Sequence, residues 1–389
     1  MQALLRYREQ GAVPPDAFPL RQSVLHLRCR DLSLGPRTLE RAHSCGVRCV
    51  ELDPAHERFL LAGDASGKVV VYDLGPAPSQ APQECPAVAT LAKAHRYSVT
   101  TSAWYPSDSG LFITGGYDAR AVVWDAATLE AAADFELHAR VHALAMSPLA
   151  AAHDLVAVAS DEASLRLLDL RSEASAHVLE GHNGAVYAAQ WSPAREHVLA
   201  TGGADGGVRI WDVRRAGCVA VLDRNRTLRR GPGSDGPCGP GPEDREPPRS
   251  RPRLSAHGGP VNAVLFSPDG LELLSFGKDD RLRAWDLAQA RQRIVHFAGT
   301  SNRAPRALRM AGTAGGGGAS SQHALAFVPC GAEVHVYEWA TGNRAARLRA
   351  HFSRVNACAV SRDGDVVCTA SDDASLLLWE PCPSGLVRE

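Results

Sequence analysis

Six histidines recur along the chain in a way that suggests chemistry: His43, His95, His138, His182, His257 and His351. Four of them precede an aspartate by 22 or 23 residues, pairing His95 with Asp118, His182 with Asp205, His257 with Asp279 and His351 with Asp373. A histidine and a carboxylate brought together can move a proton or help hold a metal. The spacing argues against both. Each histidine is followed by an apolar–acid dipeptide: Trp124-Asp125, Trp211-Asp212, Trp285-Asp286, Trp379-Glu380, and in weaker form Tyr72-Asp73 and Leu168-Asp169. The acid of each dipeptide lies 29 to 31 positions after its histidine. A set copied six times belongs to a repeated frame rather than to one catalytic centre. No Gly-x-x-x-x-Gly-Lys-Ser/Thr, His-Glu-x-x-His or Gly-x-Ser-x-Gly occurs. The ten cysteines are scattered with no Cys-x-x-Cys, and Cys45 with Cys49 come nearest to metal spacing. The expectation is a chain that is not an enzyme and holds no metal or cofactor.

The frame itself is legible. From His182 the chain runs through three short apolar stretches, Ala185 to Trp191, Val198 to Gly203 and Val208 to Asp212. Ser192-Pro193, Gly202-Gly203 and the turn at Asp205 punctuate them, which predicts strands joined by tight turns. Histidine near the start and Trp-Asp near the end mark one blade of a WD-repeat propeller. The predicted fold is all-β: a seven-bladed propeller with a short helical N-terminal extension. Blades start near His43, His95, His138, His182, His257 and His351. The 94 residues between the last two histidines leave room for a degenerate blade at about 294–340, around Val328-Pro329. In such blades His, turn Asp, Ser or Thr, and Trp form a buried hydrogen-bonded chain, because an unpaired buried His or Asp costs several kcal/mol. Four blades carry the full set: His95/Asp118/Trp124, His182/Asp205/Trp211, His257/Asp279/Trp285 and His351/Asp373/Trp379. The first has Ser66 at the turn and the third has Glu162 beside Asp161, so both are expected to be less rigid. The strand Arg37 to Arg41 is expected to close the ring by pairing with the strand that ends at Trp379.

Composition bounds the rest. The repeat covers nearly all of the 389 residues, so one large domain is expected at 37–382. A net charge of −1 and a pI near 6.9 give no polybasic field, which argues against direct sequence-specific nucleic-acid binding. Free cysteines at apolar strand positions fit a reducing compartment, and no signal peptide or membrane-spanning run is present. Residues 1–36 read as an extension with helices at Met1 to Gln10 and Leu20 to Leu27, whose apolar Leu4, Leu5 and Tyr7 need a partner or the propeller to pack on. Residues 75–86 are Pro-rich, and 312–321 are Gly-rich. Residues 223–253, with eight Arg and five acidic residues, read as a disordered insertion. Residues 383–389 form a short tail.

One feature turns a fold into a function. Arg214 follows Trp211-Asp212 at a spacing of two, and Arg171 follows Asp169 likewise one blade earlier, so neighbouring blades present two guanidinium forks on one rim. Trp-Asp-x-Arg beside a helical N-terminal segment resembles the substrate receptors of cullin-4 ubiquitin ligases. Within that family the segments His95 to Val99, Trp104-Tyr105-Pro106, Gly181-His182, Trp211 to Ala216 and Asp269-Gly270-Leu271 resemble the Cockayne syndrome group A receptors. The insertion at 223–253 and the glycines at 312–321 depart from that pattern. The resemblance implies docking through Leu4, Leu5, Tyr7, Asp169, Arg171, Trp211, Asp212 and Arg214 to the large-subunit adaptor of the damaged-DNA-binding complex, joined to cullin-4 and a RING subunit. It also implies a nuclear role in transcription-coupled nucleotide excision repair. The partners implied for the opposite face are stalled RNA polymerase II, the Cockayne syndrome group B ATPase and the ultraviolet-sensitivity scaffold protein. A scaffold of a chromatin or RNA-processing assembly is the alternative.

Overall fold

The structure is a computed structural model that describes residues 32–75, 83–149, 153–215, 217–223, 228–229, 255–313 and 324–381. The extension with Leu4, Leu5 and Tyr7, most of the 223–253 insertion and residues 383–389 lie outside the described residues. Seven antiparallel sheets follow one another in chain order and make a seven-bladed β-propeller. The fourth blade is representative. Val186–Trp191 is innermost, then Val198–Gly203, Val208–Asp212 and Gly217–Leu222 lead outward. Each interface between neighbouring blades holds its own apolar cluster. Between the fourth and fifth blades Ala200, Ile210, Val261, Phe266 and Trp285 meet. Small Ala and Val at strand positions let the sheets approach closely, which suits a chain with few aromatics.

The repeated residues do what burial demands of them. In the fourth blade the Trp211 N–H donates to Thr201 Oγ1 at 2.8 Å, and that hydroxyl lies 2.8 Å from His182 Nε2. An indole N–H can only donate, so the hydroxyl proton goes to Nε2 and Nδ1–H goes to Asp205, 3.1 Å away. Asp205 also accepts the backbone N–H of Asn183 and of Gly207, which fixes the turns at both ends of the loop. Gly203 is required here, because a Cβ would stand 2.5 Å from His182 Nδ1. The same chain runs His95–Thr114–Trp124, His257–Ser275–Trp285 and His351–Thr369–Trp379, with Asp118, Asp279 and Asp373 on the respective Nδ1.

The first and third blades depart from expectation in different ways. His43 Nδ1 is 2.9 Å from Asp64, two residues before Ser66, and Ser66 itself donates to Asp64. The acid has moved to the position that Gly116, Gly203 and Gly277 hold in the second, fourth and fifth blades. In the third blade His138 is exposed and Glu162 pairs with Arg166. Val158 stands where other blades place the hydroxyl and Leu168 replaces the indole, so the polar chain gives way to apolar contact. Replacing both partners by apolar groups costs little, whereas losing one would be expensive.

Ring closure also differs from the sequence reading. Leu32–Leu34, not Arg37 to Arg41, pairs with Leu376–Pro381, placing Leu34 opposite Trp379. Pro36 has no N–H and ends that ladder. Arg37–Leu39 then lies parallel to Gln83–Cys85, in the stretch read as a Pro-rich loop. The reason is Arg37. Its Nε donates to Glu380 at 2.5 Å and its Nη1 to the Leu74 carbonyl at 2.8 Å, with Arg37 and Glu380 each only 3% exposed. Glu380 occupies the dipeptide's acid position, and its extra methylene gives it the reach to Arg37. Two smaller corrections follow. The degenerate blade comprises Ala311–Gly312, Leu325–Cys330, Glu333–Glu338 and Arg344–Arg349, so it ends later than 340. Leu228–Arg229, inside the insertion read as disordered, adds a fifth strand to the fourth blade.

Arg37→Ala is expected to lower stability by about 3–5 kcal/mol, because it strands the Glu380 carboxylate inside the seam. Thermal unfolding checks this, with Arg37→Met plus Glu380→Leu recovering most of the loss; an unchanged midpoint in Arg37→Ala would remove the seam's significance.

Acid should unfold the protein in two stages. Burial holds the His95, His182 and His351 imidazoles below the ordinary histidine value, so their contribution is present above about pH 6.5 and declines as pH falls below it. Asp205, Asp279 and Asp373 are depressed, Asp373 to about 2: burial opposes this, but hydrogen bonds from His182, His257 and Ser375 outweigh it. Their contribution is present above about pH 4 and is lost as pH falls toward 2. Unfolding midpoints measured from pH 7 to 3 should therefore fall below pH 6.5 and fall more steeply below pH 4. Asp205→Asn should be less stable at pH 7 and show a shallower lower limb.

Candidate partner-docking rim

The third strand of every blade ends at the same edge of the ring, and there, in the first five blades, the dipeptide aspartate accepts the backbone N–H of the residue two positions later. In the fourth blade Val208–Asp212 passes directly into one 3-10 turn, Val213–Arg215. Val213 is buried and donates its N–H to the His197 carbonyl at 3.0 Å, which anchors the turn to the loop beside it. Asp212 then organises the outlet. Its Oδ1 accepts the Arg214 backbone N–H and Nε at 3.1 Å each, and its Oδ2 accepts Nη2 at 2.8 Å. Those bonds from Arg214, reinforced by Arg215, hold the Asp212 carboxyl below its usual range. The result is a guanidinium gripped on one edge by a mostly buried carboxylate and 63% exposed on its side chain. Such a fork is preorganised to accept a second carboxylate or a carbonyl from outside.

The third blade repeats the register with a different partner. Asp169 accepts the Arg171 backbone N–H at 3.0 Å and the Ser172 hydroxyl at 3.0 Å, so it shapes the turn but does not hold the guanidinium. Arg171 turns instead to Asp154, which also accepts the Tyr105 hydroxyl at 2.8 Å from the second blade. Tyr105, Pro106, Met146, Pro148, Asp154 and Leu155 line a shallow cleft at this point. Between the two arginine turns the His153 ring lies 5.2 Å from Trp191 and 5.3 Å from His197. Asp154, Tyr105 and His153 were invisible in the repeat pattern because they act between blades. The only signal is that Trp104-Tyr105-Pro106 and Met146-Ser147-Pro148 fill the same loop of adjacent repeats.

Arg214 and Arg171 thus occupy one rim of adjacent blades with exposed side chains, and Asp212 and Asp169 support them. Trp211 does not belong with them. It is 1% exposed and its N–H is used on Thr201, so it positions Asp212 and lies in the apolar interface with the third blade rather than on the surface. Among the described residues no group of three or more His, Cys, Asp or Glu side chains is arranged to hold a metal ion, and no helix is long and apolar enough to cross a membrane.

Comparison with known proteins follows the same outlines. Residues 36–73, 86–125, 174–212, 249–286 and 342–380 match the family described as WD domain, G-beta repeat. Of the four stretches between matches, 126–173 and 287–341 contain most of the third and sixth blades, those without the His–hydroxyl–Trp chain and its turn acid. The chain is 30% identical over 434 residues to WD repeat-containing protein ATCSA-1 of Arabidopsis thaliana, covering 97% of this chain and 94% of that protein. It is 28% identical to Radiation-sensitive protein 28 of Saccharomyces cerevisiae over 49% of this chain and 38% of that protein. It is 29% identical to the ribosome biogenesis protein WDR12 homolog of Chlamydomonas reinhardtii over 45% of this chain and 43% of that protein. Through its repeats, its blade geometry and its full-length likeness to ATCSA-1, the chain belongs to the WD domain, G-beta repeat family and is a CSA-like WD-repeat protein.

Proposed function

We propose that this chain is the substrate-recognition subunit of a nuclear cullin-4 RING ubiquitin ligase in transcription-coupled nucleotide excision repair. The observation that carries the reading is the pair of exposed forks, Arg214 and Arg171, on one rim of neighbouring blades. Full-length similarity to ATCSA-1 supports it, and the name of Radiation-sensitive protein 28 fits a response to damage. In this reading the rim and the N-terminal segment, including Leu4, Leu5 and Tyr7, dock on the large-subunit adaptor of the damaged-DNA-binding complex. The opposite face meets stalled RNA polymerase II, the Cockayne syndrome group B ATPase and the ultraviolet-sensitivity scaffold protein. The mechanism is positional: the propeller holds a target beside the ligase's charged conjugating enzyme and raises the effective concentration of target lysines there. No residue of the chain makes or breaks a bond. A second reading, a scaffold in an RNA-processing complex, draws on the partial likeness to the WDR12 homolog. That likeness spans less than half of either chain, and it gives Arg214 nothing to do.

Co-purification of the adaptor with the wild-type chain, Arg214→Ala and a variant lacking residues 1–30 separates the two. The ligase reading expects wild type to retain the adaptor. Each variant should lose at least about tenfold in affinity while keeping its unfolding midpoint, since an interface arginine is commonly worth 2 kcal/mol or more on truncation. A wild-type chain that never retains the adaptor gives the scaffold reading the field.

A further inference from the structure

The mouth of the central channel carries groups that the repeat does not require. In six blades the innermost strand slips register after its first residue, at Val47/Cys49, Val99/Thr101, Val141/Ala143, Val186/Ala188, Val261/Ala263 and Val355/Ala357. The skipped residue is a bulge, left out of the ladder. These bulges stand at the end of the blades away from Arg214, and their side chains meet across blade boundaries. Arg48 pairs with Asp372 at 2.9 Å, Asn356 donates to the Val47 carbonyl at 2.8 Å, and the His142 and Tyr187 rings lie 5.1 Å apart.

The sixth blade does something else. The segment from Asn302 to Met310 leaves the wall and crosses the mouth. Asn262 donates to the Ala304 carbonyl at 3.0 Å, and the Arg309 backbone bonds to Asn356 and Cys358 of the seventh blade. The Arg309 guanidinium reaches Glu51 of the first blade at 2.7 Å and the Ser102 carbonyl of the second at 2.8 Å. The segment is therefore pinned on four blades and closes the axis. Three arginines at the mouth have carboxylates: Arg309 has Glu51, and Arg48 and Arg354 share Asp372. Arg306 has none. Its guanidinium lies over the Tyr117 ring, 5.1 Å from the centroid, and its Nη1 is buried without a hydrogen-bond partner. Tyr117 is edge-on to His142 at 5.9 Å. His142 is 1% exposed, bonds Asp161 through Nε2 at 2.7 Å, and leaves Nδ1 without a partner.

We propose that Arg306, seated on Tyr117 beside His142 and Tyr187, forms an anion site at the closed mouth of the channel that takes a carboxylate side chain of an acidic peptide segment. A guanidinium whose face is stacked on an aromatic ring keeps its edge donors for an in-plane acceptor, which is the geometry of a carboxylate pair. Because the axis is closed beneath it, the peptide lies across the mouth rather than threading it. Asp161, Asp280 and Asp372 stand around the same face, which disfavours the closely spaced charges of a nucleic-acid backbone and favours a singly charged side chain. Tyr97, 53% exposed, and Phe352, 96% exposed, lie on the turns that lead into the inner strands of the second and seventh blades, and offer apolar contact to neighbouring ligand residues. The site is independent of the ligase reading, since it shares no residue with the Arg214 rim.

The test is fluorescence anisotropy of the full chain with a labelled short peptide of alternating Glu and Leu, its Gln/Leu counterpart, a phosphoserine/Leu counterpart and single-stranded oligothymidine. The Glu peptide should bind wild type at least about tenfold more tightly than the Gln peptide. Arg306→Gln should abolish that preference, Arg306→Lys should keep part of it, and Arg214→Ala should leave it intact. Arg306→Gln should also still retain the adaptor if the ligase reading holds, so the two ideas fail separately. Equal binding of the Glu and Gln peptides by wild type overturns the proposal without relying on any variant. So does a Glu preference that survives in folded Arg306→Gln, or binding confined to the phosphoserine peptide or the oligothymidine.

Discussion

A ring of sheets holds together only if its first and last members are joined by something other than the covalent chain. Each blade buries its faces against two neighbours, and none has a core of its own to fall back on. Opening one seam would expose both faces of one of the seven apolar interfaces and leave a row of unpaired N–H and C=O groups at an edge. The chain answers with three residues of strand, Leu32–Leu34, and with the buried pair of Arg37 and Glu380. That pair departs from the Trp-Asp pattern at the one place where the acid must reach beyond its own blade. The departure is a lengthened side chain, and its use is local.

Within the blades the same economy governs polar groups. A buried histidine is tolerable when an acid, a hydroxyl and an indole complete its bonds, and four blades keep all of them. The first keeps the acid by moving it to Asp64 and gives up the hydroxyl. The third discards the polar chain and packs Val158 and Leu168 instead. The third thereby avoids the costly intermediate of one polar group left alone in an apolar interior, whereas the first leaves His43 Nε2 buried without a hydrogen-bond partner. The family match follows this division, since it recognises the first blade and passes over the third.

The fold was legible because periodicity and punctuation are local properties of the chain, and six copies reinforce one another. Arg214 was legible for the same reason: its spacing from Asp212 is fixed by a turn. What escaped were contacts made between distant segments. The seam strand was misplaced by a few residues because Leu32–Leu34 carries no mark beyond its apolar alternation, whereas Arg37-Thr38-Leu39 sits at the conventional distance from the first histidine. Nothing near Glu380 announces a partner 343 residues away. Tyr105 with Asp154, and Arg306 with Tyr117, belong to the same class. Trp211 was assigned to the surface through its membership of a motif, although its burial follows from the motif's own hydrogen bonds.

The position of the seam has a geometric consequence for assembly. Leu32, the first described residue, sits on the outer strand of the seventh blade. Arg214 belongs to the fourth blade, three steps round a circle of seven, and therefore almost diametrically opposite. A single body that touches both the Leu32 edge and the arginine rim needs a footprint as wide as the propeller itself. Leverage then follows from width: two anchors at opposite edges resist tilting in a way that two adjacent contacts cannot. A ring held across its diameter presents its far face at a fixed angle.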